Sequence, residues 1–226
     1  MAQMSKQVLG RISGSIGDVT FRQRGGKNFA APRPNSFIPG TDEASILRRA
    51  RFALAVKLAK AINSIDNLKT LWLKKSPAGT SVFNYMVKLT YKFVDSKSLN
   101  DFAMLTPTLG FRATAATTVD ANALTVNLDA IGSDKGIDTA VEKNIVIASV
   151  LLLSNPVDDT VEQNLLMSFQ SPEQALDIAN PLSFNISLTD QQAQAFSKYQ
   201  DHKAAFVAVT LDDQENPVNH SNTFLN

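Results

Sequence analysis

Two acidic clusters are the first side chains in this sequence that could do chemistry. They are Asp158-Asp159 with Glu162, and Asp212-Asp213 with Glu215. Paired carboxylates can act as general acid and base, and carboxylates also bind Ca²⁺. Both clusters, however, follow directly after an apolar, strand-like run, where acidic turn residues are common. We therefore interpret them as turn residues.

The two histidines, His202 and His220, are the other candidates for catalysis or metal binding. Neither has a second ligand at metal-site spacing, such as a helical i, i+4 pair, and both lie in polar, turn-like sequence that predicts exposed side chains. No strand-turn-helix nucleophile elbow of the form Gly-x-Ser-x-Gly is present. The chain has no cysteine, which excludes disulfides and a cysteine nucleophile. The sequence predicts no enzyme, no metal site and no cofactor.

The segment "LGRISGSIGDVTFRQRGGKNFAAPRPN", residues 9–35, is rich in glycine and arginine. Its glycines do not follow the Gly-x-Gly-x-x-Gly or Walker spacing, so nucleotide binding is not indicated. Glycine lets a backbone pass close to another surface, to which basic side chains donate charge-assisted hydrogen bonds. We predict an extended arm that pairs with a sheet edge of a partner. Its predicted contact residues are Arg11, Arg22, Arg24, Lys27 and Arg33.

The distribution of charge supports a docking role for this arm. Residues 1–60 contain eleven Lys and Arg against three Asp and Glu, a formal charge of +8. Residues 61–226 contain eleven basic and eighteen acidic residues, a formal charge of −7. Such asymmetry indicates that the basic part faces an anionic surface: nucleic acid, another protein or the acidic part of a second copy. A solvated basic face is the alternative explanation.

Within the arm, residues 18–31 alternate as a half-buried strand does. Val19, Phe21 and Gln23 fall on one side, and Thr20, Arg22 and Arg24 on the other. Gly25-Gly26 then predicts a two-residue hairpin turn. Because two strands alone are marginally stable in water, we expect the arm to need a partner surface, either its own body or another chain.

After a proline-rich connector at 31–40, apolar residues at helical spacing predict a helix over 42–62, capped by Thr41 or Asp42. These apolar residues are Leu47, Ala50, Leu54, Leu58 and Ala61. A shorter helix is predicted over "IDNLKTLWLKK", and another helix follows with Thr80 as its cap. The three segments form a small helical unit.

Beyond residue 104 the pattern changes to short β-branched or aromatic runs bounded by Asp, Asn, Gly and Pro. Six strands and a seventh near "VNHSNTFL" predict a β-sandwich, with a short helical insertion at "TDQQAQAFSKYQ". The predicted fold class is α+β. It comprises an extended basic arm at 1–40, a helical segment at 41–104 and an antiparallel sandwich of the immunoglobulin or fibronectin type III kind at 105–226.

Neither a secretory signal nor a membrane helix is predicted. The N-terminal residues lack an unbroken apolar stretch. The longest apolar run, "IVIASVLLL" at 145–153, is about half as long as a bilayer-spanning helix. We interpret this run as a buried strand.

The segments "GRISGSIGDVTFRQRGGKNFAAPRP", "RRARFALAVKLA" and "AFVAVTLDD" together resemble an uncharacterised bacterial family. Members begin with Gly-x-x-Gly-x-x-x-Gly-type segments that end in Arg-x-Pro, and their arms are similar to those of phage and prophage structural proteins. In "IPGTDEASILRRARF" this chain departs from a more usual Thr-x-x-Gln-x-x-x-Arg pattern. The resemblance implies no catalytic residues.

These observations predict a non-enzymatic structural or assembly protein of a phage or prophage virion, found in the virion or the host cytoplasm. Its arm would dock on other copies of itself or on other virion proteins, giving a homo-oligomer. One alternative is a nucleic-acid-binding protein that contacts phosphates through the basic first 60 residues. Another is a surface- or carbohydrate-binding sandwich module.

Overall fold

The structure is a computed structural model, and it describes residues 2–3, 13–24, 26–33, 36, 38–133 and 135–226. Within these residues the chain forms four helices and mostly antiparallel strands, so the predicted α+β class is confirmed. The first strands are β1 (Ala2–Gln3), β2 (Gly14–Ile16), β3 (Val19–Arg24) and β4 (Lys27–Pro32). The helices are α1 (Glu43–Asn63), α2 (Asp66–Lys75), α3 (Val82–Thr90) and α4 (Asp190–Phe196).

Strands β1 to β4 form a four-stranded antiparallel sheet in the order β1-β4-β3-β2, here called the N-terminal sheet. Arg24 pairs with Lys27, which leaves positions 25 and 26 to connect β3 and β4. Gly26 has a φ of 74°, a conformation that glycine adopts without steric cost. The predicted hairpin is therefore confirmed, although Gly25 itself lies outside the described residues.

Side-chain caps explain where two of the helices begin. The Asp42 carboxylate accepts a hydrogen bond from the Ser45 amide at 2.9 Å and caps α1, as one of the two predicted candidates. At α3 the cap is Ser81, whose hydroxyl accepts from the Asn84 amide at 3.2 Å. The prediction of Thr80 was wrong by one residue, because the helix starts immediately after Ser81.

The remaining strands form two further sheets. They are β5 (Ala115–Val119), β6 (Ala123–Leu128), β7 (Asn144–Pro156), β8 (Asn164–Gln170), β9 (Gln174–Ala175), β10 (Leu182–Ser187), β11 (Tyr199–Leu211), β12 (Pro217–His220) and β13 (Phe224–Leu225). The central sheet has the order β12-β11-β7-β8, with β13 on β11 and β9 on β7, and the smaller sheet has the order β10-β6-β5. Most of these strands overlap the runs that the sequence predicted, but β9 was not predicted, and β11 begins at Tyr199, inside the predicted helical insertion. The seventh strand, predicted near "VNHSNTFL", is two short strands, β12 and β13.

Each face of the central sheet is covered by a different layer. Helices α1 to α3 pack on one face, where residues such as Leu58, Trp72 and Met86 meet alternate residues of β7 and β11. The smaller sheet packs on the other face through residues such as Val126 and Phe184. Burial on both faces explains why β7 is apolar at nearly every position instead of alternating. The hydrophobic cluster on the helical face runs across the predicted division between 41–104 and 105–226.

The apolar stripe of α1 is buried along its C-terminal half. Leu54, Leu58 and Ala61 are buried, as predicted. Leu47, which belongs to the same helical repeat, is 45% exposed. The physical reason is that the buried residues of α1 begin at Leu54, and the first turns lie outside the cluster.

Candidate protein-docking surfaces

The N-terminal sheet has two chemically different faces. In an antiparallel ladder, directly paired residues share a face, and the faces alternate along each strand. The pairing of Ile16 with Val19 begins an apolar face that continues through Phe21. On the opposite face, Arg22 pairs with Phe29. The sheet is therefore apolar on one side and basic on the other.

Three of the predicted contact residues belong to the basic face. Arg22 and Lys27 are exposed on it, and Arg33 follows β4 by one residue, its amide donating to the Asp18 carbonyl at 2.6 Å. None of the described acidic residues forms an ion pair with these three side chains. The backbone of Arg24 lies opposite Lys27, but its side chain is outside the description, as is the whole of Arg11.

The apolar face of the N-terminal sheet is covered only in part: Asn28, which shares this face with Phe21, is 2% exposed, whereas the residues near the turn at 17–18 are open. Among the described strands, those of this sheet pair only with one another. Neither hydrophobic cluster of the body draws a residue from 13–33. Ile16 is 71% exposed and Val19 37% exposed. Exposed apolar residues on a small sheet favour contact with another surface, so the open part of this face is a candidate docking surface.

Strand β8 forms an open edge of the central sheet. It pairs with β7 along its whole length, from Asn164 opposite Ser154 to Gln170 opposite Ala148. No described strand pairs on its other side. The Ser171 amide donates to the Ile147 carbonyl at 2.8 Å, so the odd-numbered residues direct their backbone N–H and C=O groups toward β7. Because these directions alternate along a strand, the even-numbered residues of β8 direct theirs away from the sheet. The strand "NLLMSFQ" contains no charge and no proline.

A groove runs along this edge between β8 and the end of α1. It consists of two adjoining depressions of about 310 and 380 Å³, and Ser64 and Ser168 line both. The hydroxyl groups of these serines lie 3.0 Å apart, and Ser168 donates to the Ala61 carbonyl at 2.9 Å. These bonds hold α1 against the middle of β8. The groove is therefore a structured surface beside an open strand.

The two ends of the groove differ in charge. The larger depression is lined by Asp66, Glu173 and Glu215, with no Lys or Arg among its lining residues. At the other end, Lys57 contacts the Glu162 carboxylate at 2.7 Å, and this hydrogen bond lowers the pKa of Glu162. Lys57 also donates to the outward Asn164 carbonyl at 2.7 Å. The α2 end of the groove, called here the acidic end, is thus the anionic part of the surface.

The acidic clusters that opened the sequence analysis lie in turns, as predicted. The Asp158 carboxylate accepts from the Thr160 amide at 2.8 Å, and this bond lowers the pKa of Asp158. The Asp212 carboxylate accepts from the Asn216 amide, also at 2.8 Å. Within the described residues, no group of three or more His, Cys, Asp or Glu is placed to hold a metal ion.

Both histidines were wrongly predicted to be exposed. His220 is 6% exposed, with Nε2 3.1 Å from the Thr108 hydroxyl and Nδ1 3.0 Å from the Ser221 carbonyl. Burial lowers the pKa of His220 below its ordinary value. His202 is half-buried and stacks on the Phe196 ring, with 3.7 Å between centroids. These contacts give both rings packing roles that the polar local sequence conceals.

Sequence reasoning found the basic face but missed the groove. The acidic end combines Asp66 from α2, Glu173 from the segment after β8 and Glu215 from the turn after β11. No local spacing connects these three residues. The lack of charge in β8 was visible in the sequence, but whether a strand lies at an edge depends on which strands pair.

Among the helices that the structure describes, none combines the length and apolar character needed to cross a membrane. No protein-family model matches the chain, and no curated protein matches it with significant similarity.

Proposed function

We propose that this protein is a non-enzymatic structural or assembly component, a virion protein of a phage or prophage, whose N-terminal sheet docks on neighbouring subunits. The observation that carries the proposal is that this sheet lies outside both hydrophobic clusters while presenting an apolar and a basic face. A surface of this kind gains stability when another protein covers it. The virion assignment, and with it a location in the virion or host cytoplasm, rests on the sequence resemblance.

The partner we propose is another copy of the same chain. Residues 1–60 have a formal charge of +8 and residues 61–226 a formal charge of −7. Copies that meet head to tail would bring surfaces of opposite charge together, which favours association and fixes its orientation. We therefore propose a homo-oligomer, to which other virion proteins can be added.

For the body we propose a β-sandwich related to the immunoglobulin and fibronectin type III kinds. The shared cluster between the central sheet and the smaller sheet supports two antiparallel layers packed face to face. The helices on the outer face of the central sheet would be an addition to that plan. In this role the body is a rigid support for the docking surfaces.

Deletion of residues 1–35 tests the proposed function. We expect the truncated protein to keep its fold and to be monomeric by light scattering, while the full chain forms oligomers. A matched charge test replaces Arg22, Lys27 and Arg33 by serine. Its control replaces three exposed lysines of the body, Lys69, Lys88 and Lys97. Oligomers that survive the deletion unchanged would contradict the proposal.

Nucleic-acid binding is the second candidate, because Arg48 and Arg49 are exposed near the start of α1 and extend the basic region beyond the N-terminal sheet. Its signature is an affinity for duplex DNA that falls steeply as salt rises, in proportion to the number of phosphate contacts. Fluorescence anisotropy across a salt series measures this. A carbohydrate-binding role has less support, because the sole tryptophan, Trp72, is fully buried and donates to the Leu105 carbonyl at 2.9 Å.

A further inference from the structure

We propose that the groove beside β8 is the receptor for the N-terminal sheet of a second copy, which docks by adding its edge strand β2 to β8. This inference rests on the proposed function and names the surface through which it would operate. Three separate observations support it: an open strand edge, a complementary charge, and a donor edge that pairs with no other strand among the described residues.

Beyond Asn164, whose outward carbonyl accepts from Lys57, the receptor edge lacks the usual protection against strand addition. Natural edge strands are shielded by charged residues, proline, bulges or a covering segment. Strand β8 contains none of these residue types and has regular pairing with β7 across seven residues. The outward backbone groups of Leu166, Ser168 and Gln170 are therefore available in the geometry that a further strand needs.

The donor edge is β2, which ends the N-terminal sheet on the side away from β4. Its three residues are all exposed, including Ile16 at 71%. The two-residue turn at 17–18 makes Ile16 and Val19 the hydrogen-bonded pair that closes the hairpin. The next residue, Ser15, therefore directs its backbone N–H and C=O groups away from β3. Ser15 is thus the position at which β2 would bond to a new neighbour.

The charge of this groove is complementary to that of the incoming sheet. The acidic end holds Asp66, Glu173 and Glu215, whereas the basic face of the incoming sheet holds Arg22 and Lys27. Complementary charges raise the association rate and fix the register of an interface. The edge strand β5 of the smaller sheet, with the sequence "AATTV", has no acidic residue.

Cysteine cross-linking tests the contact directly, because the chain has no native cysteine. Paired strands lie about 4.8 Å apart, within the range that a disulfide can bridge. A tagged S15C protein is mixed under mild oxidation with untagged S168C or Q170C protein. We expect mixed disulfide dimers with at least one of these receptor variants. T118C, exposed in β5, is the matched control and should give none above background.

Charge reversal supplies an independent test. E173K with E215K should weaken self-association on the order of tenfold. R22E with K27E should do the same, and combining all four reversals should restore association. The control pair D95K and D201K reverses exposed carboxylates outside the groove and should have little effect. Circular dichroism and thermal unfolding confirm that each variant is folded.

The outcomes separate this inference from the proposed function. If the full chain assembles, and deletion of residues 1–35 abolishes assembly, but neither cross-links nor charge reversals implicate β8, the inference is wrong while the proposed function stands. Cross-linking to T118C as efficient as to the β8 variants would also overturn it. If the full chain is monomeric at all concentrations, both proposals are wrong.

Discussion

The central sheet and the N-terminal sheet use the same backbone hydrogen bonds but differ in what supports them. In β7, every residue from Ile145 to Ser154 is buried between two layers. In β2, all three residues are exposed. Burial of apolar side chains supplies most of the favourable free energy of folding, while a backbone hydrogen bond contributes little net. Because a β-ladder alone does not make a stable unit, we expect the N-terminal sheet to be less stable than the central sheet.

The largest effect is expected from the core beneath the helices. Trp72→Ala removes a fully buried side chain and should lower the free energy of unfolding by about 3–5 kcal/mol. Phe21→Ala, in the N-terminal sheet, should lower it by less than about 1 kcal/mol, because Phe21 lies outside both clusters. Urea denaturation of the two variants gives both values. Similar losses would show that the two sheets unfold as one unit.

A buried polar pair at the end of the central sheet should have the next largest effect. The Thr210 hydroxyl donates to the Glu142 carboxylate, and both side chains are buried. Thr210→Val leaves the carboxylate without this donor and should cost about 1–3 kcal/mol of unfolding free energy. Thr118→Val, at an exposed position of β5, is the matched control, with an expected change within about 0.5 kcal/mol. If Thr210→Val leaves the free energy of unfolding unchanged, this pair does not contribute to stability.

His220 should make the free energy of unfolding of the body depend on pH. Its pKa is lowered from the ordinary value of 6.5, chiefly by burial, with Lys75 acting in the same direction. The unfolded chain therefore binds a proton more readily, so unfolding free energy decreases as pH falls through about 6.5. His220→Gln should flatten this part of the profile measured by urea denaturation at a series of pH values. If the slope of unfolding free energy against pH is the same in the His220→Gln variant, other titratable groups cause the dependence.

The smallest change in body stability is expected from cutting the N-terminal sheet. Trypsin should cleave first after exposed Arg22 and Lys27, since segments with little burial open at low cost in free energy. Mass spectrometry identifies the cuts, and the unfolding free energy of the remaining body should change by less than about 0.5 kcal/mol. First cuts within the body would mean that the N-terminal sheet is the better protected region.

Much of the secondary structure was predictable because its signals are local. The helical repeat of Leu54, Leu58 and Ala61 marks a buried face, and alternation in Phe184 and Ile186 marks a strand with one buried side. The hairpin at 25–26 follows from glycine in a two-residue turn. These signals act over a few residues, so they hold whatever the rest of the chain does.

The groove beside β8 and the buried histidine were not predictable in the same way. His220 is buried because the segment around Thr108 and Phe111 packs beside β12, where the Phe111 amide donates to the His220 carbonyl at 2.9 Å. Leu47 is exposed because the core ends before it reaches the first turns of α1. In each case the environment of the residue is made by segments far away in the chain.

By itself the sequence determined that this protein combines helices with antiparallel strands, that its first 60 residues are basic and that a glycine turn closes a hairpin among them, since periodicity, charge and turn chemistry are properties of neighbouring residues. Only the tertiary structure decided that β7 lies between two layers, that β8 lies at an edge and that Asp66, Glu173 and Glu215 meet beside it. Strand order and layer packing depend on contacts between distant segments, which local sequence patterns do not specify.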